Sequence, residues 1–184
     1  MTRIEVIQEA KRIVAFNPIY LDTETTGFQS TAQIVEIAIV DSGGQVLLDS
    51  RIHPTFPIPP DATGIHGITD ADVEDAPSFL NVAPAVFDLL HERVCVIYNS
   101  AFDSRMLKQS ANLYQASRGM FDGHFAMSCA MCLYADFLQE GGKWQKLVNA
   151  AKQCGIPVPE RLHGAAVDAK LTREIMLYMA SVLL

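Results

Sequence analysis

Four carboxylates in three short, separated segments could do chemistry in this sequence: Asp22 and Glu24 in YLDTETTGF, Asp103 in YNSAFDSRML and Asp168 in HGAAVDAKLT. The last segment carries His163 five residues upstream of its acid. Carboxylates that meet in one pocket hold hard divalent cations through oxygen, and such ions polarise phosphoryl oxygens and activate water. Phosphodiester hydrolysis is the chemistry such a cluster would serve. Each residue alone has a plainer use. Asp103 and Asp168 fall at helix starts, where the dipole favours an acid, and His163 by itself reads as a helix-capping or surface imidazole. The set is harder to dismiss, because Asp22 and Glu24 stand among apolar strand residues with no Lys or Arg between Arg12 and Arg51 to neutralise them.

The elements that must position these groups follow from periodicity and breakers. A helix is predicted over residues 4–14, ended by Asn17 and Pro18. A strand over 19–22, the alternating run 34–40 and the run 45–52 read as a meander. Residues 54–69 read as a long Pro-rich surface loop leading to an acidic helix start at 70–75. Beyond it, helix and strand alternate: helix 80–91, strand 94–98, helix 101–115, strand 124–128, then helices over 131–139, 144–154 and 165–182. Three strands followed by this alternation imply an α/β fold, a mixed central sheet with helices on both faces. Asp22 and Glu24 then have like parity near a strand end and project from one face, while Asp103 and Asp168 occupy first turns of helices.

With 184 residues and 49% apolar content, the chain suffices for one domain with a sizeable core. Residues 1–16 form no basic then apolar leader, and the apolar stretch 175–184 is about half of a membrane span. A cytoplasmic protein without a membrane partner is expected, and the last helix reads as core or as a dimer surface. Cys129 and Cys132 have C-x-x-C spacing but no second half-site, so they read as packing at a helix start, and Cys95 as a buried thiol. The net charge of −7 is split unevenly, −10 over residues 1–92 and +3 over 93–184. The acidic balance argues against a broad basic nucleic-acid surface, yet bound divalent cations would reverse the sign locally.

Together, Asp22-Thr23-Glu24-Thr25-Thr26-Gly27, Asn99-Ser100-Ala101-Phe102-Asp103, and His163 with four residues before Asp168 resemble the DEDDh branch of the DnaQ-like 3′-to-5′ exonucleases, in the ribonuclease-H-like superfamily. The likeness runs from about Pro18 to Met179. Histidine with a four-residue gap, rather than tyrosine with three, selects the branch. The resemblance implies a ribonuclease-H-like mixed five-stranded sheet, one exonuclease domain over residues 1–184 with an N-terminal helical extension over 1–16, and two Mg²⁺ or Mn²⁺ ions. It makes Asp22, Glu24, Asp103 and Asp168 the metal-holding groups, with Asp22 shared by both ions and Asp103 acting through water. His163 becomes the proton acceptor, a role that its ordinary pKa of about 6.5 suits. Gly164 stands where the family often has Arg or Lys.

The same resemblance lays the terminal nucleotide over Thr25, Thr26, Gly27 and Phe28; Asn99 and Phe102 are further candidate contacts, and His66 in the entry loop reads either as a contact or as a turn histidine with no catalytic role. Gly27 would allow close approach, and the two phenylalanines could stack on bases or belong to the core. Glu36 reads as facing solvent or a structural pair, and Trp144 as packing at a helix start rather than as a base-stacking platform. The expected function is metal-dependent 3′-to-5′ exonucleolysis of single-stranded or frayed ends, DNA ahead of RNA, releasing nucleoside 5′-monophosphates. The alternatives are an exoribonuclease trimming RNA ends or short oligoribonucleotides, a ribonuclease-H-like endonuclease or strand-transfer enzyme, and a non-catalytic module bound to a polymerase.

Overall fold

β-branched residues dominate Ile34–Val40, and Ile19-Tyr20-Leu21 precede the first acidic pair; both segments extend into strands. The computed structural model describes residues 1–91, 93–123, 125–139, 142–159 and 164–183. Its strands are β1 (Ile19–Thr25), β2 (Ile34–Val40), β3 (Val46–Arg51), β4 (Val94–Ile97) and β5 (Ala126–Cys129). The α-helices are α1 (Arg3–Ala15), α2 (Pro60–His66), α3 (Asp70–Val73), α4 (Phe79–Leu90), α5 (Ser100–Ala111), α6 (Ala130–Leu138), α7 (Leu147–Gln153) and α8 (Ala165–Ser181). The strands form one sheet in the order β3-β2-β1-β4-β5. β1, β2 and β3 pair antiparallel, whereas β4 runs parallel to β1 and β5 parallel to β4. This is the mixed five-stranded α/β sheet that the sequence implied.

Helices cover both faces. Tyr20, Val40 and Val96 pack against α1, α6, α7 and α8, while Ile19, Leu21, Ile37, Ile39, Cys95 and Ile97 pack against α4 and α5. α1 is built into the first of these layers through Val6, Ile7, Ala10 and Ile13. It starts with a capping box, Glu5 N–H donating to Thr2 Oγ1 at 3.3 Å and Thr2 N–H to Glu5 Oε2 at 2.8 Å. Ile175, Met176 and Met179 of α8 are buried in the same layer, which gives the apolar last helix its place in the core. Cys95 is buried, Cys129 is the N-cap residue of α6 and Cys132 is exposed, all as free thiols.

Four expectations need correction. The segment 54–69 is not loop throughout, because α2 occupies Pro60–His66, started by Pro60 and ended at left-handed Gly67 (φ 74°). β2 does not alternate: all seven residues are buried, since sheet neighbours flank it and helices cover both its faces. The first strand runs three residues past Asp22, to Thr25, so Glu24 lies within it. The helix expected from Trp144 begins only at Leu147, leaving Trp144 in the preceding loop. The strand start expected at His124 lies outside the described residues.

The chain leaves β1 toward β2 on one side and leaves β4 toward α5 and β5 on the other. The adjoining carboxyl ends of these two parallel strands therefore open the kind of crevice in which α/β proteins bind ligands. The first two acidic motifs lie at those ends.

Candidate active site

Alternation along β1 sends Tyr20, Asp22 and Glu24 toward the α8 face and Leu21 and Thr23 toward the α5 face. Asp168 lies in the first turn of α8. Carboxylate oxygens of Asp22, Glu24 and Asp168 lie within 4.8 Å of one another. Asp103, in the first turn of α5 and 3% exposed, approaches from the opposite face and accepts a 2.7 Å hydrogen bond from Thr23 Oγ1. The strand thus presents two acids to one helix and anchors the acid of the other helix through the residue between them. His163 lies outside the described residues.

Burial sets the electrostatics of this cluster. Asp22 is held well above the usual carboxylate range, first by desolvation and then by repulsion from Asp103, Asp168, Glu24 and Glu36. Glu24 is pushed up to about 8 by desolvation and by Asp168, Glu36 and Asp103, with Arg51 opposing. Desolvation raises Asp103 to about 7 against the Thr23 hydrogen bond. Closely spaced, poorly solvated oxygen donors of one sign fit a hard divalent cation, which would relieve the repulsion that the fold enforces.

Glu36 supports this arrangement and was not singled out as a site residue from the sequence. It stands opposite Glu24 on β1 and opposite Arg51 on β3. Its Oε1 pairs with Arg51 Nε at 2.7 Å, and its Oε2 accepts from Ala165 N–H, in the first turn of α8, at 2.8 Å. Of the two expected environments, it takes the structural pair. The available signal was a lone acid within an otherwise apolar run. Because Glu36 joins β2 to the helix that carries Asp168, Glu36→Ala is expected to lower stability by about 2 kcal/mol in urea unfolding. It is also expected to lower kcat more than KM, and wild-type values for both would show that α8 needs no such anchor.

Beside the acids lies a cavity of about 380 Å³, lined by Thr23–Gln29, Pro59, Asp61, Ala62, Ile65, His66 and Phe102. Gly27 adopts φ 144°, accessible to glycine, and a Cβ there would fall 2.6 Å from Gln29 Oε1. Thr25 Oγ1 donates to Gly27 O at 2.9 Å. Thr26, 1% exposed, accepts from Gln33 N–H at 2.9 Å, so its side chain holds the turn together. His66, the last residue of α2, accepts from Ile68 N–H through Nδ1 at 3.0 Å, which puts the proton of the neutral ring on Nε2. Phe28 is 72% exposed and lies against Phe102 with ring centroids 5.7 Å apart. Arg105 sits over the Phe102 ring at 5.4 Å and donates to Phe28 O at 3.2 Å. Asn99, the left-handed N-cap residue of α5 (φ 70°), lines a neighbouring cavity with Asp168 and Phe28. The seven expected contact residues all line one or the other of these two adjoining cavities.

The family model RNase T, described as an exonuclease, matches residues 19–176. The chain belongs to this exonuclease family. This exonuclease is 40% identical over 183 residues to the uncharacterized exonuclease CP81 of Escherichia phage 186, covering 96% of this chain and 94% of the phage protein. It is 30% identical to the DNA polymerase III subunit epsilon of Pasteurella multocida (strain Pm70), covering 88% of this chain and 67% of that subunit. The solved structure of exonuclease X in complex with 5′ overhanging duplex DNA superposes with a TM-score of 0.63 at 29% identity, covering 87% of this chain and 88% of that one. The exonuclease is a DnaQ-like enzyme that works in the 3′-to-5′ direction on nucleic-acid ends. Among the described residues, no helix is long and apolar enough to cross a membrane.

Proposed function

We propose that this exonuclease removes nucleoside 5′-monophosphates from the 3′ end of single-stranded or frayed DNA, with Asp22, Glu24, Asp103 and Asp168 as the residues that would hold two Mg²⁺ or Mn²⁺ ions. The convergence of Asp22, Glu24 and Asp168 oxygens within 4.8 Å carries this reading. Divalent ions, when bound, supply Lewis acidity toward the scissile phosphate and lower the pKa of water. The protein supplies alignment. The Thr25–Phe28 turn and Phe102 shape the cavity beside the acids for the terminal nucleotide, and Phe28 and Phe102 offer ring faces to bases of any sequence. His163 takes the proton from the attacking water, a role supported by its place in the third motif.

The assignment to DNA rests on the polymerase III epsilon subunit and on exonuclease X with its overhanging duplex as relatives. A polymerase is a candidate partner on the first ground. Five acidic and basic side chains of the catalytic type stand in one sequence order, which argues against a non-catalytic module. Incubation of 5′-labelled single-stranded DNA with Mg²⁺ or Mn²⁺ is expected to give a descending ladder, while a covalently closed single-stranded circle stays intact because hydrolysis starts at an end. Cutting of the circle would make the enzyme an endonuclease, and a ladder from matched RNA alone would assign it to RNA. No product from either polymer with either ion would remove the hydrolytic reading.

A further inference from the structure

Trp144, the single tryptophan of the chain, is 70% exposed although indole is among the side chains that gain most from burial. It makes no ring or cation–π contact among the described residues. Its loop is nevertheless held in place. Gln145 O, one residue on, accepts a 2.8 Å hydrogen bond from Tyr98 Oη, directly before the Asn99–Asp103 motif. Trp144 borders a cavity of about 510 Å³ together with Phe28, Asn99, Lys146 and Asp168. Phe28 lines this cavity and also the one beside Thr25–Gly27, so the two spaces adjoin across its ring. Lys143 and Lys146 are exposed on either side of Trp144, and residues 142–152 contain no acid. An anchored, exposed aromatic face between two cations, within a chain of net charge −7, is the combination that single-stranded nucleic acid recognises: bases stack on the ring while phosphates meet the lysines.

We infer that Trp144 is a stacking platform for a base upstream of the terminal nucleotide, with Lys143 and Lys146 contacting the adjoining phosphates. This rests on the reading of the site as one that acts on a nucleic-acid strand. Trp144 acts on substrate length and affinity, and it compensates locally for the missing basic surface. The terminal nucleotide enters beside Thr25–Gly27, and the strand then passes Phe28 and Asp168 to reach the indole.

Because Trp144 is the single tryptophan, its fluorescence reports stacking without turnover. Titration of the intact protein in EDTA or Ca²⁺ with oligo(dT) of ten residues is expected to quench the emission, and a dinucleotide is expected to quench it far less. In Mg²⁺, Trp144→Ala is expected to raise KM for the decanucleotide about tenfold with a much smaller change in kcat. Trp144→Phe restores most of the affinity, and combined Lys143→Ala and Lys146→Ala weakens the salt dependence of binding. Hydrolysis of the decanucleotide without quenching, or with an unchanged KM in Trp144→Ala, overturns the platform and leaves the exonuclease reading intact. An absence of hydrolysis by the wild-type protein in both Mg²⁺ and Mn²⁺, with no quenching, overturns the reading on which it rests.

Discussion

Asp22→Asn is expected to cut turnover by at least about a thousandfold, since the lost interaction with the ions is worth several kcal/mol and each 1.36 kcal/mol is a factor of ten. The same substitution is expected to stabilise the metal-free protein, raising Tm at pH 8 by about 5 °C. Opposite signs for activity and stability are the diagnostic. Asp22 is the acid on which repulsion from Asp103, Asp168, Glu24 and Glu36 all acts, so an uncharged isostere relieves the fold while disabling the site. Calorimetric melting beside a gel-based exonuclease assay checks both halves. Loss of activity with loss of stability would make Asp22 a structural residue, and retained turnover would remove it from the catalytic set.

The metal-free protein is expected to lose stability as pH rises, contrary to the usual behaviour of salt-bridged acids. Glu24, at about 8, and Asp103, at about 7, hold their protons in the folded state at pH values where the unfolded chain, with carboxyls near their ordinary values, has released them. Where the folded state binds more protons, stability falls with increasing pH. Their contribution is complete below the ordinary carboxylate range and is lost as pH climbs through about 7 to 8. Tm is expected to drop by about 5–10 °C between pH 6 and pH 9 in EDTA. Millimolar Mg²⁺ or Mn²⁺ should restore most of the loss at pH 9 and change little at pH 6, because ions binding the folded state stabilise it by mass action and compete with protons for the same oxygens. A flat Tm profile in EDTA, or equal metal stabilisation at both pH values, would contradict the acidic cluster as the seat of binding.

Most of the architecture was legible because it is written locally. β-branched runs gave β1, β2 and β4, apolar spacing gave α4, α5 and α8, and Asn17-Pro18 ended α1 within a residue or two of the expected place. α2 escaped because its seven residues, which begin at Pro60 after the N-cap Pro59 and include Gly64, carry no apolar period. β2 was misjudged on exposure because a strand covered on both faces differs from a half-covered one only through its neighbours.

The site divides in the same way. The residue types, their order and the parity of Asp22 and Glu24 are properties of the sequence, and they pointed to the exonuclease family and to the proposed metal-assisted hydrolysis, because closely placed oxygen donors suit hard cations. What covers a side chain, and what its second oxygen touches, was decided by the tertiary structure. Glu36 became an anchor for α8 only because Ala165, 129 positions away, was brought within 2.8 Å of it. Thr23 became the partner of Asp103 across 80 positions. Trp144 changed from a packing residue to an exposed face beside Asp168 because α7 begins three residues after it and Tyr98 holds its loop at the mouth of the site. Periodicity reports which face a residue occupies within its own element; burial and pairing depend on contacts between distant segments, and those exist only once the sheet and its two helical layers have closed.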